Sequence, residues 1–287
     1  MNNKISFVIQ ESNNTSYIDS LLIGLFYKST NLRDYLSEEP KQIKFYYLQD
    51  LIMTNFITNI MKGYSIDTTI INEIRNYSII CGWKNGYGIT DLFDIVDYLT
   101  FILSGLSINT INLEIININT INSKDDIIEY NEKYIIIKLD NDDNYSNNYS
   151  NKEYDLRILL EKWKSSLINS TNPNIIKSYR FKEIPKLIPI FIERNNNNYK
   201  IDIKKRISFN DMDYWTIHSI ICYSNYQNGH YYTLFKGNCN EWFIFDNLKI
   251  PSISEIDIKN ELVSSKIKQE CVLIFYHYEQ KNEQTNE

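Results

Sequence analysis

Asn14-Thr15-Ser16-Tyr17-Ile18-Asp19-Ser20-Leu21-Leu22-Ile23-Gly24-Leu25-Phe26 is the stretch on which the reading of this chain turns. Ile18, Leu21, Leu22 and Leu25 fall at i, i+3, i+4 and i+7, the spacing of a helix packed along one face. The short polar run before them is a helix start signal. Backbone N–H groups without intrahelical partners converge on such a start, together with the positive end of the helix dipole. A side chain there is favoured as an anion, which is why a thiol at a helix N-terminus has a lowered pKa. The residue at the junction is Ser16. An ordinary capped helix has the same outline, so the rest of the chain must decide between the two readings.

With 287 residues, 43% hydrophobic and 14% aromatic, the chain suits one large domain or two intimate lobes around an ample core. It has no alanine, only 8 glycines and 5 prolines, and abundant Asn, Ile, Lys and Tyr. That residue set is expected of A/T-rich codons and suggests a large DNA virus, an intracellular parasite or a similar source. A net charge of −6 argues against a nucleic-acid surface, which needs clustered Lys and Arg, and suits a basic ligand better. Cys81, Cys222, Cys239 and Cys271 are scattered, with no C-x-x-C pair. They fit reduced thiols in a cytosolic-type compartment rather than a disulfide framework or a zinc ribbon. Neither a signal-peptide pattern nor an apolar run of membrane length is present, so a soluble cytoplasmic protein is expected, in host cytoplasm or a virion if the source is viral.

Residues 5–9 predict a short strand ahead of the Ser16 helix. Residues 45–61 and 68–80 have helical apolar spacing, and 82–88 read as a loop. A further helix, from about 91 to 106, is apolar nearly all round except for Asp91, Asp94 and Asp97, which lie three apart and share one edge. A solvated edge is the ordinary reading of such a stripe on a helix. Strands are expected at 115–121 and 134–139, a polar low-complexity loop at 141–152 and a helix at 155–167. Residues 184–194 predict a strand in which Pro189 argues for an edge position or a bulge. Residues 195–198 then read as a hairpin loop. Tyr199, Ile201, Ile203, Ile207 and Phe209 alternate as a half-buried strand does, and 214–224 predict another strand.

A series of ordered boxes resembles those of the ubiquitin-specific proteases, the papain-like cysteine deubiquitinases. Residues 14–26 resemble G-N-T-C-Y-x-N-S-L-L-Q-x-L: Asn14, Thr15, Tyr17, Ser20, Leu21, Leu22 and Leu25 match, Asp19 stands for the usual Asn, and Ser16 stands where the family has its nucleophilic Cys. Phe93-Asp94-Ile95-Val96-Asp97-Tyr98-Leu99 resembles Q-D-A-x-E-F-L, with both acids matched and Phe93 departing from Gln. Residues 184–194 resemble L-P-x-V-L-I-I-H-L-K-R, and Gly229-His230-Tyr231 opens a likeness to G-H-Y-x-x-Y. Trp242-Phe243-Ile244-Phe245-Asp246-Asn247 resembles W-Y-x-F-D-D/N, and 271–276 resemble the closing A-Y-M-L-x-Y strand. Both ends match well and the middle poorly. Many family members carry a zinc-bearing β fingers subdomain there, built on paired C-x-x-C motifs. With no cysteine between Cys81 and Cys222, a shortened, metal-free fingers region is expected.

The resemblance implies an α+β fold of the papain-like cysteine protease type, forming a single catalytic domain over 1–287. Its parts would be a helical thumb (1–106), reduced fingers and linker elements (107–183), an antiparallel β palm (184–279) and a tail (280–287). It implies hydrolysis of the bond after the C-terminal glycines of ubiquitin, by acyl transfer through a thioester on the cysteine that belongs at position 16. A thiol nucleophile needs a base and a group that orients the base. His230 is the candidate base and Asp246 the candidate orienter, whereas His218 and His277 lie inside apolar strand patterns and read as core or surface residues. The family's usual oxyanion Asn, five before the nucleophile, is replaced by Glu11, whose carboxylate cannot donate. Gln10 is the first choice for that role, with Asn247 and Asn13 as alternatives. Asp94 and Asp97 would grip the arginine-bearing tail of ubiquitin, and Tyr231 would meet the substrate. No cofactor or metal is expected, since Cys222 and Cys239 lack paired ligand spacing around His230. The implied partners are ubiquitin or ubiquitinated proteins, bound by a monomer. Because a hydroxyl is far less acidic than a thiol, Ser16 fits two histories. Either it replaces a Cys and makes an inactive, substrate-trapping form, or it is native and marks a weak hydrolase or binding pseudoenzyme. A protease for a ubiquitin-like modifier and a non-catalytic ubiquitin-binding pseudoprotease are the alternative functions.

Overall fold

The computed structural model describes residues 9, 15–40, 42–84, 94–108, 110–119, 125–139, 153–168, 175–194, 199–210, 213–225, 229–237 and 239–278. In chain order the helices are α1 (Ser16–Phe26), α2 (Thr30–Ser37), α3 (Tyr46–Asp50), α4 (Thr58–Met61), α5 (Thr68–Ile80), α6 (Asp94–Gly105), α7 (Leu156–Ile168) and α8 (Glu261–Glu270). The strands are β1 (Ile111–Asn119), β2 (Asp125–Glu132), β3 (Ile135–Leu139), β4 (Glu153–Asp155), β5 (Ile175–Phe181), β6 (Leu187–Arg194), β7 (Lys200–Asp202), β8 (Arg206–Ser208), β9 (Tyr214–Ser224), β10 (His230–Lys236), β11 (Trp242–Phe245), β12 (Ile253–Glu255) and β13 (Cys271–Tyr278). Contacts divide the chain into two compact units, Met1–Ile108 with His218–Ile274, and Asn109–Ile217 with Phe275–Glu287.

The first unit holds α1 to α6. The sequence predicts α1 to be buried along one face, yet all of its residues are buried, Ser16, Asp19 and Ser20 included. Helices α2, α5 and α6 and strand β10 all pack against it. Thr233 Oγ1 donates to Ser20 O (2.8 Å) and Ser219 Oγ to Gly24 O (2.7 Å), tying the helix to the strands along its length. The helix expected over 45–61 begins with a 3-10 turn (Ile43–Phe45) and passes through a π-helical stretch (Leu51–Ile57) between α3 and α4. Helix α5 starts where Asp67 accepts hydrogen bonds from the N–H groups of Thr69 and Ile70. It stops at Gly82, whose φ of +107° allows Gly82 N–H to reach Ile79 O and Trp83 N–H to reach Ser78 O, the paired bonds of a Schellman motif. That stop delivers Trp83 onto Tyr17 and Tyr98, with ring centroids at 5.6 and 4.8 Å, while Tyr17 meets Tyr98 edge-on at 5.8 Å. Each such pair contributes about 0.5–1.5 kcal/mol beyond its buried area. Together they seat α6 against the start of α1. Strands β12, β11, β10, β9 and β13 lie side by side in that order, although β9 and β13 run on into the second unit.

In the second unit β2, β1 and β5 form a three-stranded antiparallel sheet with Ile115 opposite both Ile128 and Tyr179. Its core gathers on the fully buried Trp215, whose ring lies 5.5 Å from Phe181 and Phe209 and whose Nε1 donates to Pro185 O at 2.8 Å. Strand β6 bears on the expectation that Pro189 marks an edge position or a bulge. It is not an edge strand, since it lies between β13 and β3. Its ladder with β3 begins only at Ile190, opposite Ile135, so the missing proline N–H is not needed there. The alternating segment 199–209 is also not one strand. It splits into β7, paired in parallel with β4, and β8, paired antiparallel with β9. Because β7 leaves the β6 sheet, these two strands do not form the expected hairpin; its loop, 195–198, lies outside the described residues, as does 141–152. The segregation of helices and largely antiparallel strands is α+β, with β3 and β6 a parallel pair within it.

Candidate active site

Ser16 is the first residue of α1 and is 3% exposed. His230 is the first residue of β10, and Asp246 follows the last residue of β11. These strands pair antiparallel with Thr233 opposite Phe245. Continuing the register puts Asp246 across from Tyr232, so that it and His230 lie on one face of the ribbon. The two side chains meet there, His230 Nε2 to Asp246 Oδ1 at 2.9 Å, both buried. Gly229 immediately precedes His230 in a backbone conformation that favours glycine. Its φ is +91°, and a Cβ on it would come within 2.2 Å of Tyr223 Oη. Tyr231 N–H donates to Ser16 Oγ at 3.3 Å, bringing the hydroxyl beside the residue that follows His230. Among the described residues the hydrogen bond of the Ser16 hydroxyl is this one, not one to His230.

Asp246 is the hub of this arrangement. Its Oδ1 also accepts from Leu248 N–H (3.1 Å), and its Oδ2 faces Lys249 Nζ (3.1 Å). Burial works against ionisation, but the hydrogen bonds from His230 and Lys249 outweigh it and hold the carboxyl at about 2. An ionised Asp246 accepts a hydrogen bond from Nε2–H of His230 and leaves Nδ1 as the lone-pair nitrogen, the tautomer a general base requires. Two lines of support were not legible in the sequence. Lys249 carries no motif signal. The backbone N–H of Tyr231 has none either, since side-chain patterns do not report backbone direction.

The other candidates are placed unevenly. Gln10, Glu11 and Asn13 lie outside the described residues, as does the side chain of Asp94. The backbone of Asp94 opens α6, and Asp97 is exposed on that helix beside the buried Val96 and Tyr98. Tyr98, the neighbour of Asp97 on α6, packs on Tyr17 of α1. The Tyr231 ring is fully buried 4.8 Å from Tyr223, so its backbone, rather than its ring, reaches Ser16. Asn247 turns its Nδ2 to Asp19 Oδ2 (2.7 Å), a contact between two buried residues. His218 is buried in β9. Burial pushes the His277 imidazole down to about 4. Cys222 and Cys271 are buried free thiols, and Cys239 is exposed. Among the described residues no group of three or more His, Cys, Asp or Glu side chains is placed to hold a metal ion. No helix among them is long and apolar enough to cross a membrane.

No family model matches the chain. Over 138 residues it is 29% identical to the "Probable ubiquitin carboxyl-terminal hydrolase 8" of Schizosaccharomyces pombe, a match that covers 42% of this chain and 28% of that protein's length. In three dimensions it is similar to an essential yeast splicing factor, with a TM-score of 0.62 at 10% identity over 96% of this chain and 70% of that one. It is also similar to the SAGA DUB module Ubp8/Sgf11/Sus1/Sgf73 bound to monoubiquitin, with a TM-score of 0.59 at 14% identity over 96% and 69% of the two chains. The fold is therefore the α+β papain-like one. Sequence and fold taken together relate the chain to the ubiquitin-specific proteases. A splicing factor shares the architecture, so activity has to be argued from the site.

Proposed function

We propose that the chain is a deubiquitinating thiol protease in a form disabled at its nucleophile. The observation that carries this reading is the buried 2.9 Å hydrogen bond between His230 and Asp246, presented beside a helix N-terminus whose first residue is Ser16. The relationship to ubiquitin hydrolases and the monoubiquitin-bound state of the Ubp8 module support ubiquitin as the modifier. With a cysteine at position 16, the thiol proton passes to His230 Nδ1 and the sulfur attacks the carbonyl after the terminal glycines. The leaving amine takes that proton from His230, and water, deprotonated by the same nitrogen, then hydrolyses the thioester. Asp246 holds the ring and stabilises its positive charge throughout. Gln10 is the proposed oxyanion donor, because the Nδ2 of Asn247 is directed at Asp19. Asp94 and Asp97 take the basic tail within a thumb, reduced fingers and palm arrangement. The serine hydroxyl is not ionised by an imidazole at neutral pH, so this form binds without cleaving.

The deciding experiment presents Ser16→Cys with ubiquitin carrying a C-terminal electrophile, alongside the same electrophile on ubiquitin-like modifiers. A covalent adduct with ubiquitin is expected only from the Cys form, and His230→Ala should abolish it. Labelling of another modifier alone would reassign the substrate. Retained ubiquitin binding with no adduct would make the protein a pseudoprotease.

A further inference from the structure

Asp19 is the one charged residue of α1, and it is fully buried. A buried carboxylate is costly unless hydrogen-bonded, so its partners reveal what the helix is built around. Its Oδ2 accepts from Asn247 Nδ2 at 2.7 Å, across 228 residues of sequence. Asn247 Oδ1 is buried without a hydrogen-bond partner among the described residues, so the amide is held there by its Nδ2 end. Asp19 lies one turn beyond Ser16 and shares its side of the helix. Asn247 directly follows Asp246. One hydrogen bond therefore joins the turn that carries position 16 to the segment that carries the partner of His230. The bonds from Thr233 and Ser219 reach α1 at Ser20 O and Gly24 O, whereas the bond from Asn247 reaches it at Asp19, one turn from position 16.

We propose that the Asp19–Asn247 hydrogen bond is a positioning contact that sets residue 16 at working distance from the His230–Asp246 pair. It rests on the reading of position 16 as the nucleophile position. The contact needs one carboxylate and one amide, in either order. Two carboxylates at 2.7 Å would repel and part the helix from residue 246, whereas exchanging the two groups restores a single N–H···O bond with the donor on the helix.

The test uses Ser16→Cys protein and reads the iodoacetamide alkylation rate of the introduced thiol by peptide mass spectrometry, with exposed Cys239 as internal control. Adding Asn247→Asp should slow alkylation at position 16 at least tenfold and remove its activation at neutral pH, with Cys239 unchanged. Adding Asp19→Asn, which leaves an amide facing an amide, should cost less than threefold. The exchange Asp19→Asn with Asn247→Asp should return the rate to within threefold of the parent. A merely structural contact would lower the urea midpoint in Asn247→Asp while leaving the rate per folded molecule unchanged, and that result overturns the proposal, as does an exchange that folds without recovering the rate. Should Asn247→Asp fail to fold, Asn247→Ser, too short to reach Asp19, must show the same tenfold loss. A position-16 thiol in the parent that reacts no faster than Cys239 overturns both the nucleophile reading and this inference. Ubiquitin takes no part in the assay, so failure of the ubiquitin adduct alone leaves the positioning contact standing.

Discussion

Replacing Asp246 by Asn keeps the shape of the side chain and removes its charge, which separates the electrostatic role of the site from its packing. The carboxyl is lowered from 3.8 to about 2 by hydrogen bonds from His230 and Lys249 acting against burial. At about 1.36 kcal/mol per pH unit, the ionised form is favoured in the folded state by roughly 2 kcal/mol. Because the folded value is depressed, this stability is present above the unfolded value near 3.8 and is lost as pH falls towards 2. Asp246→Asn should therefore lower urea stability by about 1–2 kcal/mol at pH 7, with the difference from the parent shrinking below pH 4. The amide would also donate its N–H to the ring or leave Nε2 with a carbonyl partner of lower charge, so the Nδ1 lone pair is no longer secured. Labelling of Ser16→Cys protein by the ubiquitin electrophile should then fall by at least a hundredfold, within the range of about 10²–10⁴ for a general base. Unchanged stability at pH 7, or unchanged labelling in a folded Asp246→Asn variant, would refute the role assigned to the pair.

Asp94→Asn with Asp97→Asn should weaken ubiquitin binding to the Ser16 protein at least about tenfold, since a shielded charge-assisted contact is worth about 1.5–3 kcal/mol. Substituting Asp142 and Asp143 should change little, and equal binding by the double variant would make the stripe a solvated helix edge. His277 is lowered from 6.5 to about 4 by burial, so the unfolded chain takes up a proton before the folded one and stability drops as pH falls through that window. Between pH 7 and pH 5 this should remove about 1–2 kcal/mol, and a flatter urea-midpoint profile is expected for His277→Gln; an unaltered slope would show that other groups cause it. Elemental analysis of purified protein should find no stoichiometric zinc, and chelators should leave its melting temperature unchanged.

Local order was legible in residues. The spacing of 68–80 defines α5 from end to end, and the apolar run 214–224 coincides with β9, because periodicity records which side of one element is buried. Helix α1 opens at Ser16, as its polar start signal requires. His230 and Asp246, chosen from the sequence, lie in hydrogen-bond contact in the structure, since their positions on neighbouring strands follow from a register of alternate residues. Partnership over distance was decided elsewhere. Pro189 reads as an edge or bulge residue, and its strand has neighbours on both sides, but the ladder with β3 begins one residue later, at Ile190. The pattern over 199–209 continues through two strands that belong to different ladders, since alternation records exposure and not the identity of the neighbour. Asp19 shows the division most directly. By sequence alone it is one acid on an apolar helix, and the pattern of α1 would place it at an exposed edge. Burial of α1 on every side and the arrival of Asn247 from 228 residues away make it an internal link instead. The chain by itself marked the candidate side chains and the elements on which Ser16, His230 and Asp246 stand. Only tertiary packing decided their partners, because a hydrogen bond between distant residues exists once burial has removed water as the competing partner.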